Sequence, residues 1–404
     1  MKKRCTIAAF ALLAVLCMLS LSSCGILRNL ALGERYSGQY RYTVEDGGVT
    51  IKGYHGHDEH LTIPASIKGM PVTSIATNAF NSCTDIRTVT IPDSVTQISF
   101  FSFSECENLE KVTLGRGIQS IDDSAFRSCP KLRYNEYEGG HYLGNADNPH
   151  FVMMAFPEDG DRLALHPDTV LIADGALDYC DSLKSIEVGA GNAHFKVVDN
   201  VLFSLDGTRL YKYPCASEAT AYSVPEGTLT IMPAAFAGAD SLTSLTIPNG
   251  VVTIDYNAFL GAENLTEITI PDSVTSIGHW AFSHCESLER LTLGSGLKTI
   301  GGQAFGFCSS LTEITIPDSV TDISYSAFSY CTALESVVIG KEVTDMGQDV
   351  FLGCTALREV VFSNPTGWKV CGKLGSGMRD IDTSDPAQNA ANLTGEDGGL
   401  FWYR

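Results

Sequence analysis

Basic side chains are scarce in this 404-residue chain: 27 Lys and Arg stand against 47 Asp and Glu, for a formal net charge of −20. Such a surface repels phosphate backbones, so no nucleic-acid partner is expected. No Cys-x-x-Cys pair occurs, which removes the commonest spacing of a structural zinc site. Gly-x-Ser-x-Gly and His-Glu-x-x-His are missing, and no glycine loop closes on Gly-Lys-Ser or Gly-Lys-Thr. These absences leave no signature of a serine hydrolase, a zinc protease or a nucleotide-binding enzyme, and no cofactor is expected. The apolar run from Thr6 to Leu21 is too short and too abruptly ended to read as a membrane span. What is present is a folded composition, with 44% hydrophobic and only 18% charged residues.

The first residues have a separate job. Lys2, Lys3 and Arg4 precede the apolar run, which closes on Leu21-Ser22-Ser23-Cys24-Gly25. That segment resembles the lipobox of bacterial lipoproteins, which implies cleavage before Cys24 and lipidation of its thiol. Acyl chains on Cys24 would hold the protein at a membrane surface, on the extracellular side.

The dominant signal is a repeat. Phe80, Phe103 and Phe126, then Phe236, Phe259, Phe282, Phe305, Phe328 and Phe351, recur every 23 residues within each run. Leu177 holds the equivalent place in a divergent unit between the runs. The fullest copies, residues 265–288 and 311–334, share L-x-x-I-x-I, Pro-Asp-Ser-Val, an Ile five residues before the Phe and a Cys three after it.

Each copy has a physical reading. Ile268 and Ile270 point one way and Thr269 the other, the alternation of a strand. Pro271 cannot donate to a ladder and ends it, with Asp272 and Ser273 supplying a turn. Val274 to Ile277 forms a second extended piece, and Ala281-Phe282 is expected in a 3₁₀ or helical turn that drops the ring inward. No unit can bury its apolar side alone, so the units must stack in parallel register.

Residues 133–162 and 192–214 interrupt the pattern. The second carries Asp206-Gly207 between Val201–Phe203 and Leu210–Tyr213, a hairpin signal. Both are expected to be β-rich elaborations with the core continuous beneath them. The organisation is then a signal peptide (1–23), a lipidated N-terminus and tether (24–45), a repeat run (46–132), an insert (133–162), a divergent unit (163–191), a hairpin insert (192–214), a second run (215–368) and a C-terminal cap or tail (369–404).

These features resemble the BspA-like leucine-rich repeat family, the 23-residue bacterial variety, over about residues 50–368. The resemblance also rests on Tyr142-Leu143-Gly144-Asn145 with Asn148-Pro149, on Val201-Leu202-Phe203-Ser204 with Asp206-Gly207, on Phe362 to Trp368, and on the closing Phe401-Trp402-Tyr403-Arg404. It implies a β-rich solenoid: a right-handed leucine-rich repeat array of short parallel strands and 3₁₀ or helical turns, with two hairpin-like inserts. It further implies a cell-surface, non-catalytic role in adhesion, and it identifies no ligand.

Candidate sites have competing readings. Cys83, Cys106, Cys129, Cys180, Cys285, Cys308, Cys331 and Cys354 share one repeat position that Ala239 and Ala262 also fill, so a ladder of small buried thiols is expected over disulfides. Cys215 and Cys371 lie outside that register. His55, His57 and His60, with Asp58 and Glu59, could hold zinc or be a solvated turn. His279 and His284 read as separate surface histidines. Asp380 to Asp385 lacks the Gly and the terminal Glu of a calcium loop.

The strand face is the expected binding surface, presenting Lys111, Thr246, Glu267, Thr269, Arg290, Thr292, Glu313 and Thr315 outward. β-Propensity explains the threonine column but not its charged neighbours. A host, microbial or matrix protein is the expected partner, on an extracellular surface. A glycan-capture role is the alternative, with Tyr134, Tyr137 and Tyr142 beside the inserts as candidate rings. An enzyme would need its site in an insert or in residues 369–404.

Overall fold

The computed structural model describes residues 33–371, 379–395 and 399–404, so Cys24 and the signal segment lie outside the described residues. Two compact units emerge. The first runs to Asn135 and includes Tyr142–Met154 and Leu171–Asp174; the second comprises Glu136–His141, Ala155–Val170 and Gly175–Arg404. Each is a parallel β-solenoid whose coils bond to their neighbours 23 residues away.

In the second unit the first ladder stacks Ala221–Ser223, Ser244–Thr246, Glu267–Thr269 and Arg290–Thr292, and after a break in strand pairing resumes with Glu313–Thr315, Ser336–Ile339 and Glu359–Phe362. Ile268 is buried between exposed Glu267 and Thr269, as the alternation requires. A second ladder stacks Thr230–Ile231, Thr253–Ile254, Ser276–Ile277, Thr299–Ile300, Asp322–Ile323 and Asp345–Met346, each with its apolar residue inward. The first unit repeats the design with His60–Thr62, Thr88–Thr90 and Lys111–Thr113 on one ladder, and Met70–Ile75, Gln97–Ile98 and Ser120–Ile121 on the other.

The periodic phenylalanines form a column of rings. Phe259 and Phe282 lie 4.7 Å apart at 7°, and Phe282 and Phe305 5.3 Å apart at 6°. In the first unit Phe80 stacks on Phe103 at 4.6 Å. These separations are close to the strand spacing of about 4.8 Å, so one ring per coil fills the core without a gap.

The turn around each ring differs from expectation. Among the described residues the 3₁₀ form appears at Asp123–Phe126 alone, where the Asp122 side chain caps it. Elsewhere left-handed residues bracket the ring, such as Trp280 (φ 54°) and His284 (φ 59°) around Phe282. This sends the amide hydrogens outward along the stack: Trp280, Phe282 and His284 donate to Gly302, Ala304 and Gly306 of the next coil at 3.0, 2.7 and 2.9 Å. A helix would have used those donors within its own turn. Strain on the order of 1 kcal/mol per left-handed residue is offset by bonds that a helical turn could not make.

The inserts are not laid over a separate core; their strands are rungs of it. Phe195–Val198, Val201–Ser204 and Arg209–Lys212 pair antiparallel, with Asp206 and Gly207 at the second turn as expected. Arg209–Lys212 then pairs parallel with Thr230–Ile231 and so begins the second ladder. Tyr213 stacks on Phe236 at 5.2 Å and takes the anchor's place one coil early. In the other insert, Val152–Ala155 pairs parallel with Leu171–Ile172 within the first unit.

The expected tether is also structured where it is described. Arg35–Ser37 and Tyr40–Glu45 form a meander with Gly48–Tyr54, which pairs with Met70–Ile75; Tyr42 is wholly buried. Tyr42 and Thr43 are both buried and Val44 is half-buried, and the meander covers the free edge that the first coil would otherwise present. The described parts of residues 369–404 pack on the last coils. Phe401–Tyr403 pairs antiparallel with Asp345–Met346, and the helix Pro386–Thr394 lies on Glu359–Phe362, where buried Asn389 donates to the Val360 carbonyl at 2.9 Å.

Candidate strand-face binding site

The first ladder of the second unit brings most of the expected face together. Glu267 stands opposite Arg290 and Thr269 opposite Thr292, while Glu313–Thr315 lies beside Ser336–Ile339. Thr246 belongs to the same ladder; Lys111 does not, since it sits in the first unit beside Thr88.

Register accounts for the charged neighbours. Arg290 donates to Glu267 at 2.7 Å and to Glu289 at 3.5 Å, and hydrogen bonding to Glu267 raises the Arg290 guanidinium above its ordinary value. Arg358 pairs with Glu335, and in the first unit Arg87 sits between Glu110 at 3.3 Å and Glu59 at 3.6 Å. All are solvent-exposed, and all but Arg290–Glu289 join different coils; they are screened and weak in stabilising terms. Threonines next to the strands bridge coils as well: Thr243 and Thr266 donate to the Thr220 and Thr243 carbonyls at 3.1 and 3.3 Å. The face is therefore an ordered lattice of hydroxyls and alternating charges, stiffened by its own bonds.

The other candidates disperse. His57 contacts Asp85 at 2.6 Å, His60 contacts Thr88 at 3.0 Å, and His55 stacks on Tyr36, so the three imidazoles are not gathered on one point. Among the described residues no three His, Cys, Asp or Glu side chains group to hold a metal ion. Asp385 caps the Pro386–Thr394 helix, and Asp382, held below the usual carboxylate range by the Ser384 hydroxyl and amide, closes a local turn. Tyr142 is buried against His150 in the first unit, and Tyr137 meets His166 edge-on in the second.

The ten described cysteines are free thiols, and the repeat cysteines form the expected ladder. The structure adds a role, because Cys106, Cys129, Cys285, Cys308, Cys331 and Cys354 each donate to the phenylalanine carbonyl one coil earlier, as Cys308 does to Phe282 at 3.2 Å. Burial pushes the Cys308 thiol up to about 12, which removes its nucleophilic form at neutral pH.

Three features were not read from the sequence. Lys212 is fully buried and donates to the Ala234 carbonyl at 2.9 Å, in the place alanine holds in later coils. His284, Phe307 and Tyr330 form a second ring column, at 4.4 and 4.8 Å, two residues after the core phenylalanines. His279 and Tyr325 stack at 5.8 Å on the other flank of the turn. The 23-residue step of the second column was the signal that could have revealed it.

The pattern described as BspA type Leucine rich repeat region matches in six copies, over residues 59–143 and 229–358, together just over half of the chain. The chain belongs to this family. Among solved structures, a leucine-rich repeat protein from Eubacterium ventriosum is similar at 23% identity, with 85% of this chain and 98% of that one covered and a TM-score of 0.47. A leucine rich cell surface protein from Faecalibacterium prausnitzii is 23% identical, with 82% and 95% covered and a TM-score of 0.41. The pneumococcal vaccine antigen PcpA is 20% identical, with 82% and 87% covered and a TM-score of 0.42. Comparison with curated proteins finds no match.

Proposed function

We propose that the protein is a non-catalytic, adhesin-like binding protein of the cell surface, anchored through lipid on Cys24, that offers its strand ladder to an extracellular protein partner. The observation that carries this reading is the registered face of Thr246, Glu267, Thr269, Arg290, Thr292, Glu313 and Thr315, in which exposed acid, base and hydroxyl groups repeat at coil spacing. A rigid polar lattice of this kind suits a wide, hydrogen-bonded protein contact better than a small apolar ligand. Membership in a repeat family and the absence of catalytic motifs agree with a binding role.

Two experiments test it. Immobilised full chain is probed with extracellular-matrix and cell-surface proteins, and Arg290→Glu with Glu313→Lys is expected to weaken any specific binding; clean negatives across both sets sink the proposal. Growth with an alkyne-tagged fatty acid should label the protein, and Cys24→Ser should abolish the label. Equal labelling of that variant would remove the anchor.

A further inference from the structure

The second ladder of the second unit carries a feature that the protein-binding reading does not use. Along its outer side lies an open trough of about 330 Å³. In successive coils its wall is Ser276, Thr299 and Asp322, neighbours in parallel register. The residue after each ladder strand forms its floor: Asp255, then Gly278, Gly301 and Ser324. A Cβ on Gly278 or Gly301 would meet the backbone of the preceding coil at about 2.5 Å, so the middle of the floor is bare peptide, closed by Asp255 at one end and Ser324 at the other.

Aromatic rings stand at the rim. His279 lines the trough and stacks on Tyr325 across Gly302, where a Cβ would lie 2.6 Å from the tyrosine ring and 2.9 Å from His279 Nδ1. The two rings are thereby held over a glycine that has no room for a side chain. The Gly302 amide donates to His279 Nδ1 at 2.9 Å, so Nδ1 is the accepting nitrogen and Nε2 is left as the donor. Tyr325 remains 43% exposed and the adjacent Trp280 39%, with the indole nitrogen of Trp280 donating to Gln303.

We propose that this trough binds an extended, uncharged, β-linked glycan chain, a site and ligand class separate from the protein-binding face. The argument joins three kinds of group. Exposed rings offer π faces to the slightly positive C–H faces of a pyranose. Ser276, Thr299 and Ser324 can both donate and accept, as sugar hydroxyls require, and the Asp255 and Asp322 carboxylates accept. Those carboxylates also disfavour anionic polymers. The coil spacing of about 4.8 Å is close to the sugar repeat of an extended β-linked chain, so successive coils can face successive sugars, whose alternating orientation suits hydroxyls that both donate and accept.

Tryptophan emission reads the site, because Trp280 is the exposed one of three and Trp368 and Trp402 are buried. The full chain is titrated with cellohexaose, chitohexaose and mannohexaose while acrylamide quenching is followed. At least one sugar is expected to protect Trp280 saturably. Asp322→Asn and Tyr325→Ala should each weaken that protection about tenfold at unchanged melting temperature, and Thr269→Ala, on the other ladder, should leave it intact. Asp322 is exposed, so its variant keeps the test open if Tyr325→Ala misfolds. No protection at millimolar sugar, or protection that survives Asp322→Asn, overturns the proposal without bearing on the protein-binding face.

Discussion

The Cys331 thiol donates to the Phe305 carbonyl, one coil earlier, at 3.1 Å. Cys285 and Cys354 make the same bond to Phe259 and Phe328, at 3.3 and 3.1 Å. The position is small and apolar in these coils, and cysteine adds a donor that Ala239 and Ala262 do without.

Cys331→Ala is expected to lower stability by about 1 kcal/mol through the lost bond, and Cys331→Val by about 1–3 kcal/mol through overpacking. Urea midpoints measure both. Iodoacetamide should leave Cys285, Cys308 and Cys331 unmodified in the native protein and label them in denaturant. Native labelling at ordinary thiol rates would contradict the ladder.

Gly353 carries the Tyr330 ring against its backbone, in a left-handed conformation at φ 75°, and a Cβ there would lie 2.6 Å from the ring. Gly353→Ala should therefore destabilise by about 1–3 kcal/mol. Phe328→Ala, which empties one rung of the core column, should lose about 3–5 kcal/mol. An unaltered urea midpoint for the glycine variant would mean that the ring does not rest there.

Asp206 is held at about 2 by the Ser204 hydroxyl, and then by the Thr208 amide and hydroxyl. Its folded value lies below its ordinary one, so the carboxylate's contribution is present above about pH 4 and is lost as pH falls toward 2. Asp206→Ala should be less stable than the parent at pH 7, with the gap closing between pH 4 and pH 2. A gap independent of pH would assign the effect to something other than the charge.

Asn389 seals the last strand by donating to the carbonyls of Val360 at 2.9 Å and Thr383 at 3.0 Å. Asn389→Ala strands both buried acceptors, at about 1–3 kcal/mol. Amide exchange in Ser336–Ile339 and Glu359–Phe362 should speed up, while that in Ser244–Thr246 stays unchanged. Uniform acceleration would instead indicate global loosening.

Much of the fold was legible because its signals are local and periodic. The alternation of Ile268 and Ile270, the 23-residue phenylalanine step and the Asp206-Gly207 turn each need only neighbours in sequence. Tyr213 was missed as an anchor because the interval from Leu177 is not a whole repeat. The left-handed turn at Trp280 was hidden because bulky residues rarely adopt that conformation, and only inter-coil bonds stabilise it. The pairing of Glu267 with Arg290 required strand register, and the meeting of His279 with Tyr325 across Gly302 required three coils to be laid side by side. Neither can be seen in one repeat.

Because alternate amides in the phenylalanine turn look to the following coil for their acceptors, coils are interchangeable units. Deleting residues 288–310 would set Phe328 on Phe282 with each donor meeting an equivalent carbonyl, and duplicating them would add a coil as cleanly. The gene can thus vary its reach by recombination among near-identical stretches while the terminal seals stay untouched.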